Sequence, residues 1–285
     1  MRKIILSALA LFIISSTCSA TFIRMDVLLN TPPLIEEDNF LINVTVTNSG
    51  DEPAHDVQLG LNLPEGFTSD EIYVGTLNPN RPFNGYFKVS TDNVLPGRYP
   101  IIMKTHYADA NAYPFSTIAP KFIDFKMHSK SDTMAKMENI ELGADEDEGR
   151  DIKLTVINRD TAPHTYSVRM HTPNEIVVET MSQSVDVPAT GEKEVLFRVK
   201  PFGAISNSAY VVAATLEYED SASGSTMHRS FIATGLVKIV DAGRMDYIPN
   251  WLPVAALILL IAVFVSLQLK KRASGGDKKR EYKVD

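Results

Sequence analysis

The chain has 285 residues, 44 % apolar and 22 % charged, a balance that excludes wholesale disorder and collagen-like repeats. Charge is unevenly spread: residues 21–250 carry 19 Lys and Arg against 32 Asp and Glu, a balance of −13, whereas residues 251–285 carry 7 against 3, a balance of +4. The acidic body argues against nucleic acid as a partner, because phosphate contacts need clustered Lys and Arg, and the lone cysteine, Cys18, excludes a disulfide within the chain.

Residues 1–20 read as a secretory signal peptide. Arg2 and Lys3 precede an apolar run over 4–14, and Cys18, Ser19 and Ala20 fit a small-x-small cleavage site after Ala20. The run is too short to span roughly 30 Å of hydrocarbon, which disfavours an uncleaved anchor. Ser15 lies where a lipoprotein signal ending at Cys18 would need an apolar residue.

From there to about residue 240 the period is two, and no helical period is sustained. Phe40, Ile42, Val44 and Val46 alternate with Asn43, Thr45 and Thr47; Val57, Leu59, Leu61 and Leu63 alternate with Gln58, Gly60 and Asn62. Gly85, Phe87 and Val89, then Tyr99, Ile101, Met103 and Tyr107, predict further strands. The order recurs downstream, where Asn48, Phe87, Tyr99 and Tyr107 correspond to Asn158, Phe197, Tyr210 and Tyr218 at spacings of 110 or 111 residues. A repeat of that length matches one immunoglobulin-type sandwich. The expected fold is therefore all-β: one sandwich over 21–126, a linker over 127–137 where alternation lapses, and a second sandwich over 138–243. A juxtamembrane linker over 244–250 leads to a transmembrane helix over 251–269, in which only Ser266 and Gln268 are polar beyond Pro253. Nineteen helical residues rise about 28 Å, the thickness of a bilayer core. Lys270, Lys271 and Arg272 open a basic tail over 270–285, which places the tail in the cytoplasm and the body outside the cell membrane.

The motifs Asn43-Val44-Thr45-Val46-Thr47-Asn48-Ser49-Gly50, Leu63-Pro64-Glu65-Gly66-Phe67 and Leu95-Pro96-Gly97-Arg98-Tyr99 resemble those of CARDB-type Ig-like domains of prokaryotic surface proteins. They are similar also to S-layer-associated repeats. The first unit carries the resemblance over most of its length. The second departs from it, with Asn158-Arg159-Asp160 for the Asn-Ser-Gly turn and Pro173-Asn174-Glu175 for Pro-Glu-Gly. The resemblance implies adhesion or assembly at the cell surface and carries over no catalytic residue.

Other constellations read as structural. The acidic run Asp145, Glu146, Asp147 and Glu148 lacks the interleaved spacing of a calcium loop and has a counterpart in Glu36, Glu37 and Asp38. Asp109 and Asp220 open equivalent hairpin loops with Asx-turn chemistry. His55 and His164 fall in an equivalent inter-strand loop, His106 and Glu217 on outward strand faces, and no HExxH, paired CxxC or GxSxG motif occurs. Asn43 heads the only N-x-S/T sequon. The sequence thus yields no catalytic, cofactor or metal residue. The expected role is non-catalytic adhesion, structure or envelope binding, with an envelope protein or polymer as partner. The alternatives are an accessory docking subunit of an integral-membrane complex and, last, an envelope hydrolase.

Overall fold

In the computed structural model the described residues are 22–129, 131–221, 225–241 and seven positions between 257 and 269. They divide into two compact units after Asp241. The seven later positions (257, 258, 261, 264–266 and 269) are helical and exposed. Among the described residues no helix is long and apolar enough to cross a membrane. Residues 1–20, read above as a signal peptide, residues 244–250, the basic residues 270–285 and most of 251–269 lie outside the described residues.

The larger unit is all-β, and its described residues form seventeen strands. The first half contributes β1 (Met25–Asn30), β2 (Asn39–Asn48), β3 (Ala54–Asn62), β4 (Phe67–Ser69), β5 (Ile72–Leu77), β6 (Phe83–Thr91), β7 (Gly97–Ala108) and β8 (Pro114–Phe125). The second contributes β9 (Thr133–Met137), β10 (Ile140–Gly143), β11 (Arg150–Asn158), β12 (His164–His171), β13 (Ile176–Val178) and β14 (Ser182–Val187). It continues with β15 (Glu192–Pro201), β16 (Ala209–Asp220) and β17 (Met227–Val240). Residues 127–137, read above as linker, thus contain β9, which pairs with β11 from Thr133↔Asn158 to Met137↔Leu154.

Sheets β1-β2-β6-β4 and β13-β15-β11-β9 flank a sheet of nine strands drawn from both halves, ordered β14-β12-β16-β17-β7-β3-β5, with β10 added on β17 and β8 on β7. Alternation places the core between them. Ile42, Val44, Val57, Leu59, Phe87, Ile101 and Phe125 are buried in one cluster, and Leu154, Tyr166, Val168, Phe197, Val212 and Leu216 in another. Removing each such side chain from water contributes about 1.5–3 kcal/mol. Leu61 and Leu63, expected to be inward, are only partly buried and pack at the margin of the first core.

The 110-residue repeat has a physical basis at its asparagines, both fully buried. Asn48 Nδ2 donates to the carbonyls of Glu52 (2.7 Å) and Leu77 (3.2 Å), and its Oδ1 accepts from Gly50 N–H (3.0 Å). Asn158 does the same with Ala162 (2.8 Å), Pro188 (3.1 Å) and Asp160 N–H (3.0 Å). Each amide satisfies backbone groups that a turn between two strands leaves without sheet partners. The chain also changes sheets alike in both halves. Ile35 bridges to Phe125 in parallel, as Leu142 on β10 does to Ile239 on β17.

Candidate interaction surface at the junction of the two halves

The halves meet where the start of β7 reaches the start of β17. Gly97 pairs with His228 in parallel, His228 N–H donates to Pro96 O (2.9 Å), and Ser230 Oγ donates to Arg98 O (2.8 Å). The His228 ring stacks on Tyr99 with centroids 4.0 Å apart and planes at 4°, and its Nε2 lies 3.1 Å from Glu217 Oε2. Glycine is required at residue 97. Its φ of +152° suits no other residue, and a Cβ there would sit 2.0 Å from the His228 carbonyl oxygen.

Near this joint, Ile102, Ile118 and Ala213 form a separate buried cluster, with the partly buried Ile232 packed against it. These residues have the opposite parity to the core faces of β7, β8, β16 and β17. The stretches Tyr99 to Met103 of β7 and Val212 to Leu216 of β16 are therefore covered on both faces, whereas Val211 just before the second stays exposed.

The loop 172–175, between β12 and β13, rests against β7 and β8. Glu175, 4 % exposed, accepts from Ser116 N–H (2.7 Å) and Ser116 Oγ (2.9 Å), while Ser116 Oγ accepts from Asn174 N–H (2.7 Å). Asn174 Oδ1 takes a 2.6 Å hydrogen bond from Lys104 Nζ, and its Nδ2 lies 3.1 Å from His106 Nδ1. Where the first half has Pro64-Glu65-Gly66, with Phe67 N–H donating to Pro64 O, the second keeps the turn from Ile176 N–H to Pro173 O. Its changed residues, Asn174 and Glu175, are the ones that contact the other half.

Pro173 on this loop borders two grooves of different chemistry. One, of 510 Å³, is lined by Tyr107, Phe115 and Tyr210 and by the carboxylates of Glu52, Asp109 and Glu175, and among the described residues no Lys or Arg lines it. Tyr107 and Phe115 stack with centroids 5.5 Å apart. Burial, reinforced by Glu175, pushes the Tyr107 hydroxyl up to about 12. The other groove, of 820 Å³, is lined by Leu61, Leu63, Phe67, Met170, Val177 and Met181 together with Lys104, Arg169 and His171, with no carboxylate among its lining. Burial, then the charges of Arg169 and Lys104, drives the His171 imidazole down to about 4, so it is neutral near pH 7. Burial also pulls the Lys104 ammonium down, opposed by Glu175.

The residues singled out in the sequence lie elsewhere or serve the joint. Glu146 accepts from Gly143 N–H (2.9 Å) and Arg150 Nε (3.0 Å), closing its own loop. Asp38 pairs with Lys126 (2.7 Å). Asp109 Oδ1 accepts from the N–H groups of Asn111 and Tyr113, both 2.8 Å, in the expected Asx turn. Among the described residues no group of three His, Cys, Asp or Glu could hold a metal ion. His55 and His164 are not in a loop: they belong to β3 and β12, and His164 Nε2 lies 2.9 Å from Asp160 Oδ2. The faces carrying His106 and Glu217 are turned toward the junction, where Asn174 and His228 meet them. Asn43 is exposed. Glu175, Lys104, Arg169 and the Ile102 cluster were not singled out. Apolar residues of the wrong parity, such as Ile102 and Ala213, were the available signal.

The sheets and cores described here are those of an all-β, sandwich-like protein. No family model and no curated protein matches the chain. Among solved structures it is similar to an alpha-2-macroglobulin of Salmonella, at 11 % identity and a TM-score of 0.30, covering 77 % of this chain and 16 % of that one. It is similar to the YadV chaperone at 11 % identity and a TM-score of 0.28, covering 73 % and 99 %. Red sea bream transglutaminase is 12 % identical with a TM-score of 0.25, covering 77 % and 32 %. The chain spans about a sixth of the length of the Salmonella macroglobulin it matches.

Proposed function

We propose that this chain is a membrane-anchored extracytoplasmic protein made of two tandem Ig-like β-sandwich units, and that it acts by docking rather than by catalysis. The signal-like residues 1–20, the apolar stretch 251–269 and the basic residues after it support the anchorage and orientation. The resemblance to CARDB-type domains supports a setting at the cell surface. The absence of a nucleophile or metal-binding motif from the sequence supports a role without chemistry. The observation that carries the reading is the junction, where polar and apolar contacts join the halves and leave two grooves of different chemistry between them. Folds of this kind bind through surfaces held on rigid sheets.

The test is a photo-crosslinking residue at Val177 in the full chain, activated in native membranes. Capture of a secreted envelope protein in amounts comparable to the chain supports the adhesion role. Capture of an integral-membrane protein that also co-purifies in mild detergent makes the chain a docking subunit of a membrane complex. Cross-linking only to the chain itself or to lipid overturns the reading.

A further inference from the structure

The larger groove is out of keeping with the body around it. Residues 21–250 carry thirteen more carboxylates than Lys and Arg, yet the groove lining holds Lys104, Arg169 and His171 and no Asp or Glu. Arg169 takes part in no ion pair among the described residues, although Arg98, Arg150, Arg198 and Arg229 all do. The nearby Glu175 carboxylate is committed on both oxygens to Ser116. Apolar side chains accompany the cations: Val177 is 43 % exposed and Met181 64 % exposed at the groove, beside Leu61 and Leu63. Methionine adapts to varied apolar partners. Loop 172–175 holds the Lys104 ammonium in place through Asn174.

We propose that this groove binds an extended polypeptide segment of a partner protein in which carboxylate side chains alternate with apolar ones. The proposal rests on the docking role of the junction. Charge complementarity selects the acidic groups, since Arg169 has no ion-pair partner among the described residues and Lys104 feels only Glu175, whose two oxygens are bound to Ser116. The apolar lining selects a peptide over a hydrophilic polyanion, which would leave Val177, Met181, Leu61 and Leu63 in water. The neutral His171 adds a hydrogen-bonding ring between them without adding charge. Its Nε2 already lies 3.1 Å from Thr215 Oγ1, which orients the ring.

The experiment is calorimetric titration of the full chain in neutral detergent. The probes are the peptide acetyl-Gly-Val-Glu-Leu-Glu-Val-Gly-amide, its Gln analogue and a short inorganic polyphosphate. The acidic peptide is expected to bind at least about tenfold more tightly than the Gln analogue. Arg169→Gln should weaken it about fivefold or more, and Lys88→Gln, an equal charge change on the outward face of β6, should leave it unchanged. Equal losses from Arg169→Gln and Lys88→Gln would show diffuse attraction and overturn the proposal. So would equal binding of the Gln analogue, no binding of the acidic peptide, or an Arg169-dependent preference for polyphosphate. The Val177 cross-link separates this inference from the docking role. A partner captured equally by the parent and by Arg169→Gln keeps the docking role and removes the acidic segment. Selective peptide binding without a captured partner does the reverse.

Discussion

Gly97→Ala tests whether the two halves are one cooperative structure. The new Cβ would lie 2.0 Å from His228 O and 2.8 Å from His228 C and N, against ordinary contact from 3.4 Å, so the strands must part by about 1.4 Å. That separation breaks the hydrogen bond from His228 N–H to Pro96 O (2.9 Å) and strains the one from Ser230 Oγ to Arg98 O (2.8 Å), each contributing about 1 kcal/mol. It unstacks Tyr99 from His228, a further ~0.5–1.5 kcal/mol. The φ of +152° adds about 1–3 kcal/mol of backbone strain for any residue with a side chain. Even with partial relaxation the junction loses roughly 3–5 kcal/mol, which for a unit of this size lowers the melting temperature by roughly 6–20 °C. Differential scanning calorimetry should show one transition for the parent and a lower or split transition for the variant, with new protease cleavage near β9. Gly60→Ala is the control, because its Cβ would meet nothing closer than the Glu71 side chain at 3.6 Å. If Gly97→Ala melts and digests like the parent, the joint does not couple the halves and the reasoning fails.

Asn158→Ala should cost about 2–4 kcal/mol in a urea melt, since it leaves the carbonyls of Ala162 and Pro188 and the N–H of Asp160 without the amide, and Asn48→Ala should cost a similar amount. A loss under about 1 kcal/mol at both sites would remove the asparagines as the origin of the repeat. His171 is neutral in the folded chain down to about pH 4, whereas in the unfolded chain it takes a proton near 6.5. The unfolded state therefore binds more protons between those values, so stability falls as pH drops from 6.5 to about 4, by about 3 kcal/mol at the lower end. His171→Gln should flatten the urea midpoint across that window; an unchanged slope would show that other groups set it.

Strand positions were legible because burial of one sheet face imposes a period of two, and Ile42, Val44, Leu59, Phe87 and Leu216 lie inward as their parity requires. The repeat was legible because each unit needs a buried amide at the same bend. β9 was not, because Thr133-Met134-Ala135-Lys136-Met137 is short and carries an apolar residue, Met134, on its exposed outward face, which blurs the alternation. His55 and His164 read as loop residues in the sequence because turn residues beside them mask where β3 and β12 begin.

Local sequence thus determined what each strand does by itself: which side chains leave water, where the chain turns, and which residues close those turns. Those are interactions between near neighbours, and alternation and turn chemistry record them directly. Tertiary structure alone decided that β17 meets β7, that Glu175 finds Ser116 across 59 residues of chain, and that Lys104 and Arg169 come to line one groove without a carboxylate. Such pairings depend on how two folded halves pack against each other. Apart from a few apolar residues of unexpected parity, packing of that kind leaves no periodic trace in the chain.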